Sequence, residues 1–141
     1  MKYRLLDVLA CPICKNFPLK LIVFKVEETN KLSKKVEKVE CELYCGLKEN
    51  YISKLSLTVE DCKTCSKKSI VDGLLICEKC KRWYPIVEEI PQMLPDELRN
   101  EEEDLKFLLK YESLVPKEVK EEGIPFNLSK MKTKLKNEYP C

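Results

Sequence analysis

The spacing of apolar residues changes several times along this chain. In "KYRLLDVLA", Leu5, Leu6 and Leu9 recur at helical spacing and predict a short helix. "LKLIVFKVE" is rich in β-branched residues and predicts a strand, with "TNKLSKK" after it as a polar connection. From Val36 to Glu60 the pattern is less regular, although Leu55, Leu57 and Val59 alternate with Ser56 and Thr58. "IVDGLLIC" reads as a hairpin turning at Asp72-Gly73. "WYPIV" and "IPQML" read as short strands or extended pieces limited by Pro85, Pro91 and Pro95, since each proline removes a backbone donor.

Beyond that point the period becomes helical. Leu98, Leu105, Leu108 and Leu109 form an apolar stripe, and Asp96 is placed to cap the helix they predict. "PKEVKEEG" predicts a brief second helix with Pro116 at its start and Gly123 after its end. The tail "SKMKTKLKNEYPC" has little to bury and is expected to be mobile.

Composition narrows the function classes. With 141 residues and ordinary apolar content, the chain is long enough for one core, or one domain with an excursion. Three glycines and no G-x-G-x-x-G or G-K-[ST] run argue against a phosphate-cradling loop. The formal charge of +2 does not by itself mark a nucleic-acid binder. It is unevenly spread: residues 96–122 carry −5 and residues 127–141 carry +3, leaving +4 on residues 1–95. No stretch has the length of a membrane span, and the start lacks a signal-peptide pattern, so a cytoplasmic, reducing location is expected. The absence of histidine removes the commonest general base, and the acids lie in surface-type runs such as "NEEED"; an enzyme is not expected.

The chemistry lies in the cysteines. Eight of nine fall into close pairs: Cys11/Cys14, Cys41/Cys45, Cys62/Cys65 and Cys77/Cys80. Such spacing suits a turn that aims two thiolates at one ion, and a tetrahedral Zn²⁺ needs two such turns. Four thiolates close the coordination shell, so a structural rather than hydrolytic role follows. Cys41/Cys45 and Cys62/Cys65 are 16 residues apart, within zinc-ribbon range, which would leave Cys11/Cys14 and Cys77/Cys80 as an outer site. Spacing alone also permits a sequential pairing, disulfides, or iron in place of zinc. Cys141, unpaired at the end, is assigned no role.

"RLLDVLACPIC" and "GLLICEKCKRWYPIVEEIPQMLPDE" together resemble the small zinc-binding activator subunit family of tRNA methyltransferases. The resemblance is close over residues 4–14 and 73–95 and looser over the acidic helix. It implies a non-catalytic partner, as a heterodimer, of class I S-adenosylmethionine-dependent methyltransferases that modify tRNA, rRNA or a translation release factor. The cofactor S-adenosylmethionine would be bound by that partner, and RNA reached through it. The resemblance maps Cys11, Cys14, Cys77 and Cys80 onto the family's metal site. Cys41, Cys45, Cys62 and Cys65 lie where family members vary, and a second zinc there is predicted from spacing alone. In the family the zinc domain joins a strand of the methyltransferase sheet edge to edge and covers an apolar patch. Strand addition of this kind makes Trp83, Tyr84, Ile86, Ile90, Pro91, Met93 and Leu94 the candidate partner contacts. About half of these are expected to fill the core instead.

The fold class expected is α+β: a small zinc-ribbon-like, zinc-knuckle β domain with an inserted segment between its knuckles and short flanking helices. The corresponding division is residues 1–35 with 70–95 (zinc domain), 36–69 (insert), 96–126 (acidic helical extension) and 127–141 (basic tail). Zinc ribbons also serve nucleic-acid-binding proteins of transcription and translation, which is the alternative function. A four-cysteine iron electron carrier is a third.

Overall fold

The computed structural model describes residues 1–30 and 35–129. Its frame is an antiparallel sheet of β1 (Lys20–Glu28), β4 (Lys68–Ile76), β5 (Trp83–Val87) and β6 (Ile90–Pro91), in the order β1-β4-β5-β6. Two very short strands, β2 (Tyr44–Cys45) and β3 (Asn50–Tyr51), pair separately, and helix α1 (Val59–Ser66) leads into β4. The α+β class holds.

Strand alternation divides the core in two. Leu21, Leu75, Tyr84 and Ile86 point to one face, where Leu6 and Tyr3 of the 3-10 turn Tyr3–Asp7 cover them together with Cys11 and Cys77. Ile22, Phe24, Leu74, Ile76 and Trp83 point to the other face, where they meet Leu105, Leu108, Val115, Val119 and Leu128. The sheet is therefore buried on both sides. The acidic extension forms the second cover as α2 (Glu101–Lys110) and α3 (Lys117–Glu122), and Phe24 stacks on Tyr111 with ring centroids 4.5 Å apart.

Local rules explain how that cover docks. Asn100, rather than Asp96, caps α2, accepting from the Glu103 N–H at 3.1 Å. Asp96 is taken by Arg82, whose Nη2 donates to it at 2.9 Å. Of the predicted stripe, Leu105 and Leu108 face the sheet, whereas Leu98 and Leu109 stay exposed. Arg99 is almost fully buried between the layers. Its Nε donates to Asp104 at 2.8 Å, its Nη1 to the Trp83 carbonyl at 2.8 Å, and its guanidinium lies 4.7 Å from the Trp83 ring. Trp83 Nε1 in turn donates to the Phe126 carbonyl at 2.8 Å.

Asp72-Gly73 does not turn, contrary to the hairpin reading of the sequence. β4 runs straight through it, with Gly73 opposite Val23 and Ile86. A Cβ at Gly73 would stand 2.8 Å from the Ile22 carbonyl oxygen, so the glycine serves close strand approach. Asp72 is buried and accepts from the Tyr111 hydroxyl and the Glu88 N–H. The tight turn is Glu88-Glu89, joining β5 to β6 with φ of 49° and 69°. That backbone usually calls for Asn-Gly, and here the Glu89 N–H is anchored on the Val71 carbonyl at 2.8 Å. Most of the basic tail and part of the "TNKLSKK" connection lie outside the described residues.

Candidate metal centre and sheet edge

Two turns of the same sequence type, Cys11-Pro-Ile-Cys14-Lys15 and Cys77-Glu-Lys-Cys80-Lys81, face each other on the sheet's first face. Their backbones match bond for bond. The Cys11 N–H donates to the Asn16 carbonyl and the Lys15 N–H to the Cys11 carbonyl, both at 2.9 Å. The Cys77 N–H donates to the Arg82 carbonyl at 2.8 Å and the Lys81 N–H to the Cys77 carbonyl at 2.9 Å. Both turns close on a lysine in the left-handed region, with φ of 64° at Lys15 and 66° at Lys81.

The turns bring four sulfurs together. The Sγ atoms of Cys11, Cys14, Cys77 and Cys80 all lie within 4.8 Å of one another. Across the pairs, Cys11 and Cys80 are 3.6 Å apart and Cys14 and Cys77 3.4 Å. Metal–sulfur bonds of about 2.3 Å set tetrahedrally require sulfurs about 3.8 Å apart, so the donor set fits a thiophilic ion such as Zn²⁺ or iron. Burial raises the Cys11 thiol, but the N–H of Cys14, the Tyr84 hydroxyl at 3.3 Å and the N–H of Ile13 outweigh it and bring it down to about 6. Cys77 goes the other way, up to about 12. Burial is the main cause, aided by its hydrogen bonds to the sulfurs of Cys14 and Cys80. One thiolate in this cluster makes the next harder to form, and a bound cation reverses that. Tyr84, one of the candidate contacts of which about half were expected to fill the core, is buried against the cluster, and its hydroxyl is held protonated by burial and by Cys11.

Cys41, Cys45, Cys62 and Cys65 form a separate group. They line a common cavity, but no three of their sulfurs lie within 4.8 Å of one another. Asp7 organises the loop between Cys41 and Cys45 by accepting from the backbone N–H groups of Glu42, Leu43 and Tyr44 at 3.0, 2.8 and 2.8 Å. Burial raises the Asp7 carboxyl, yet these three donors and the nearby Arg4 hold it below its ordinary range. No pattern in the sequence singled out Asp7 or Arg99. The repeated C-x-x-C-K spacing was the available signal for matched turns.

The candidate partner contacts separate by burial. Trp83, Tyr84 and Ile86 are core residues, Trp83 beneath the helical cover and the other two beneath the knuckles. Ile90 is 64% exposed and Leu94 39%, while Pro91 and Met93 are half-buried. These four follow the outer border of the sheet. The Gln92 N–H turns inward to the Pro85 carbonyl at 2.9 Å, so ladder alternation turns the Pro91 carbonyl of β6 outward. The remaining outer edge of β5 is closed by Ile124, which accepts from the Trp83 N–H at 3.2 Å.

No helix of the described residues is long and apolar enough to cross a membrane. No curated protein and no solved structure matches the chain. A family model, that of Trm112p-like protein, matches residues 2–47 and 60–89, more than half of the chain, and spans both knuckles up to the Glu88-Glu89 turn. The matched knuckles and the sheet they sit on establish that the chain belongs to the Trm112p-like family, whose general role is that of a methyltransferase activator.

Proposed function

We propose that this chain is a non-catalytic, cytoplasmic activating and stabilising subunit of class I S-adenosylmethionine-dependent methyltransferases acting on tRNA, rRNA or a translation release factor. Zn²⁺ held by Cys11, Cys14, Cys77 and Cys80 fixes the two knuckles. The partner's sheet adds to the segment Ile90–Leu94, with Ile90 and Leu94 covering its apolar border. Residues 1–35 with 70–95 act as the binding domain and 36–69 as an insert. Methyl transfer and cofactor binding belong to the partner.

The observation that carries this reading is the border beyond β6, which no other strand of the described residues joins. It is apolar, short, and blunted by Pro91, which limits self-association while leaving its own carbonyl to pair. The opposite edge, β1, is a poorer acceptor, being bulged around Lys25 and flanked by Lys20, Glu27 and Glu28. Activation follows from mass action: a ligand of the folded partner at about 100 times its dissociation constant stabilises it by about 2.7 kcal/mol.

The test is co-purification on the tagged full chain, with the bound proteins identified by mass spectrometry. Class I methyltransferases are expected with the native chain and lost with Ile90→Asp/Leu94→Asp, whose exposed positions leave the fold intact. Recovery of RNA or ribosomes alone would transfer the chain to the nucleic-acid-binding reading.

A further inference from the structure

The middle cysteines form a second convergence, independent of the partner reading. Two separate pieces of chain supply them: the loop leading into β2 gives Cys41 and Cys45, and α1 gives Cys62 and Cys65. All four border one cavity of about 130 Å³, ample for an ion and below the roughly 300 Å³ at which ligand pockets usually begin.

Each piece is fixed independently of any ion. Cys62 and Cys65 are three residues apart on α1, so they share a face. That helix starts from a complete capping box, in which the Thr58 side chain accepts from the Asp61 N–H and the Asp61 carboxylate accepts from the Thr58 N–H. The loop from Cys41 to Cys45 is held by the three bonds to Asp7, and Glu40 just ahead of it is ion-paired to Arg4. A four-thiolate Zn²⁺ complex carries a net charge of −2. The cavity border supplies Lys2, Arg4 and Lys48 against Glu40 and Asp61, and Lys2 Nζ already donates to the Ser66 carbonyl at the end of α1.

We propose that Cys41, Cys45, Cys62 and Cys65 are the ligands of a second structural Zn²⁺, which draws the 41–45 loop and α1 together across the cavity they share. The sulfurs stand wider than the roughly 3.8 Å of a zinc tetrahedron, so binding closes this site, whereas the Cys11 set is already at that spacing. The ion takes the place of a core in the insert, where α1 buries no residue fully.

The experiment is native mass spectrometry of the full chain, purified with Zn²⁺ under reducing conditions, beside Cys62→Ser/Cys65→Ser. Two ions in the native chain and one in the variant are expected. One ion in each overturns the second site and leaves the first. Two ions in each overturns it as well, because the second ion would then not need these thiols. One ion in the native chain and none in the variant places that ion here and counts against the Cys11 set instead. Should the variant not fold, the Co²⁺-loaded native chain decides: thiolate-to-cobalt absorption per chain twice that of one four-cysteine site supports the proposal, and absorption equal to one site overturns it.

Discussion

Asp104→Ala removes half of the ion pair that binds the helical cover to the sheet. Arg99 and Asp104 have side chains 1% and 6% exposed, so the lost partner is not replaced by water. Breaking such a pair by removing one side costs about 3–5 kcal/mol, mostly from the stranded charge. Arg99 keeps its bond to the Trp83 carbonyl and its place over the Trp83 ring, which puts the loss near the lower figure. Its Nη2 has no hydrogen-bond partner among the described residues, and the Asp96 carboxylate that also feels its charge is already paired to Arg82. Against a total stability of about 5–15 kcal/mol, roughly 3 kcal/mol is a large fraction and lowers Tm by about 10 °C for a chain of this size. Arg99→Met/Asp104→Leu replaces both charges with apolar groups and restores most of the loss. Urea unfolding of the native chain, Arg99→Met, Asp104→Leu and their double variant, with zinc kept saturating and Asp104→Ala measured beside them, gives the coupling energy directly. A loss under about 1 kcal/mol for Asp104→Ala, with no coupling, would mean that α2 does not pack on Trp83 as described.

Three further outcomes follow from the same geometry. Asp7→Asn keeps the bonds to Leu43 and Tyr44 but weakens them and loses the one to Glu42, costing about 1 kcal/mol after discounting for solvent screening. Because its folded-state carboxyl titrates below the ordinary range, this contribution is full above that range and lost as pH falls through the lowered value, so native and variant unfolding curves converge only in acid. Glu88→Asn/Glu89→Gly supplies the residues its left-handed turn favours and raises stability by about 1–2 kcal/mol in thermal unfolding. Gly73→Ala forces β1 and β4 apart at the Ile22 carbonyl and lowers Tm, with loss of amide protection confined first to those two strands by hydrogen exchange.

Much of the frame was legible in the chain. The strand Lys20–Glu28 announces itself by β-branched residues, and the helix Lys117–Glu122 by proline before it and glycine after it. The close cysteine pairs indicated metal-binding turns, although which pairs meet came from the sheet, since β4 carries Cys77 back beside Cys11. The hairpin reading of Asp72-Gly73 failed because strand contacts use the same small residue that turns use. The opposite error hid the Glu88-Glu89 turn: two glutamates carry no turn signal, and anchoring to Asp72 and Val71 holds them there. Trp83 was unreadable as core or contact because the cover over it lies 16 to 43 residues downstream and meets it through Arg99, Leu108 and Phe126.

The role proposed for this chain is to activate a methyltransferase by docking along Ile90–Leu94, with the chemistry left to the partner. The most direct measurement reconstitutes the purified chain with a class I methyltransferase recovered on it and follows methyl transfer from labelled S-adenosylmethionine to tRNA, rRNA or a release factor. Transfer is expected from the pair, little from the methyltransferase alone, none from this chain alone, and a sharp drop with Ile90→Asp/Leu94→Asp. Equal transfer with and without the chain, or full activation by that double variant, would contradict the account.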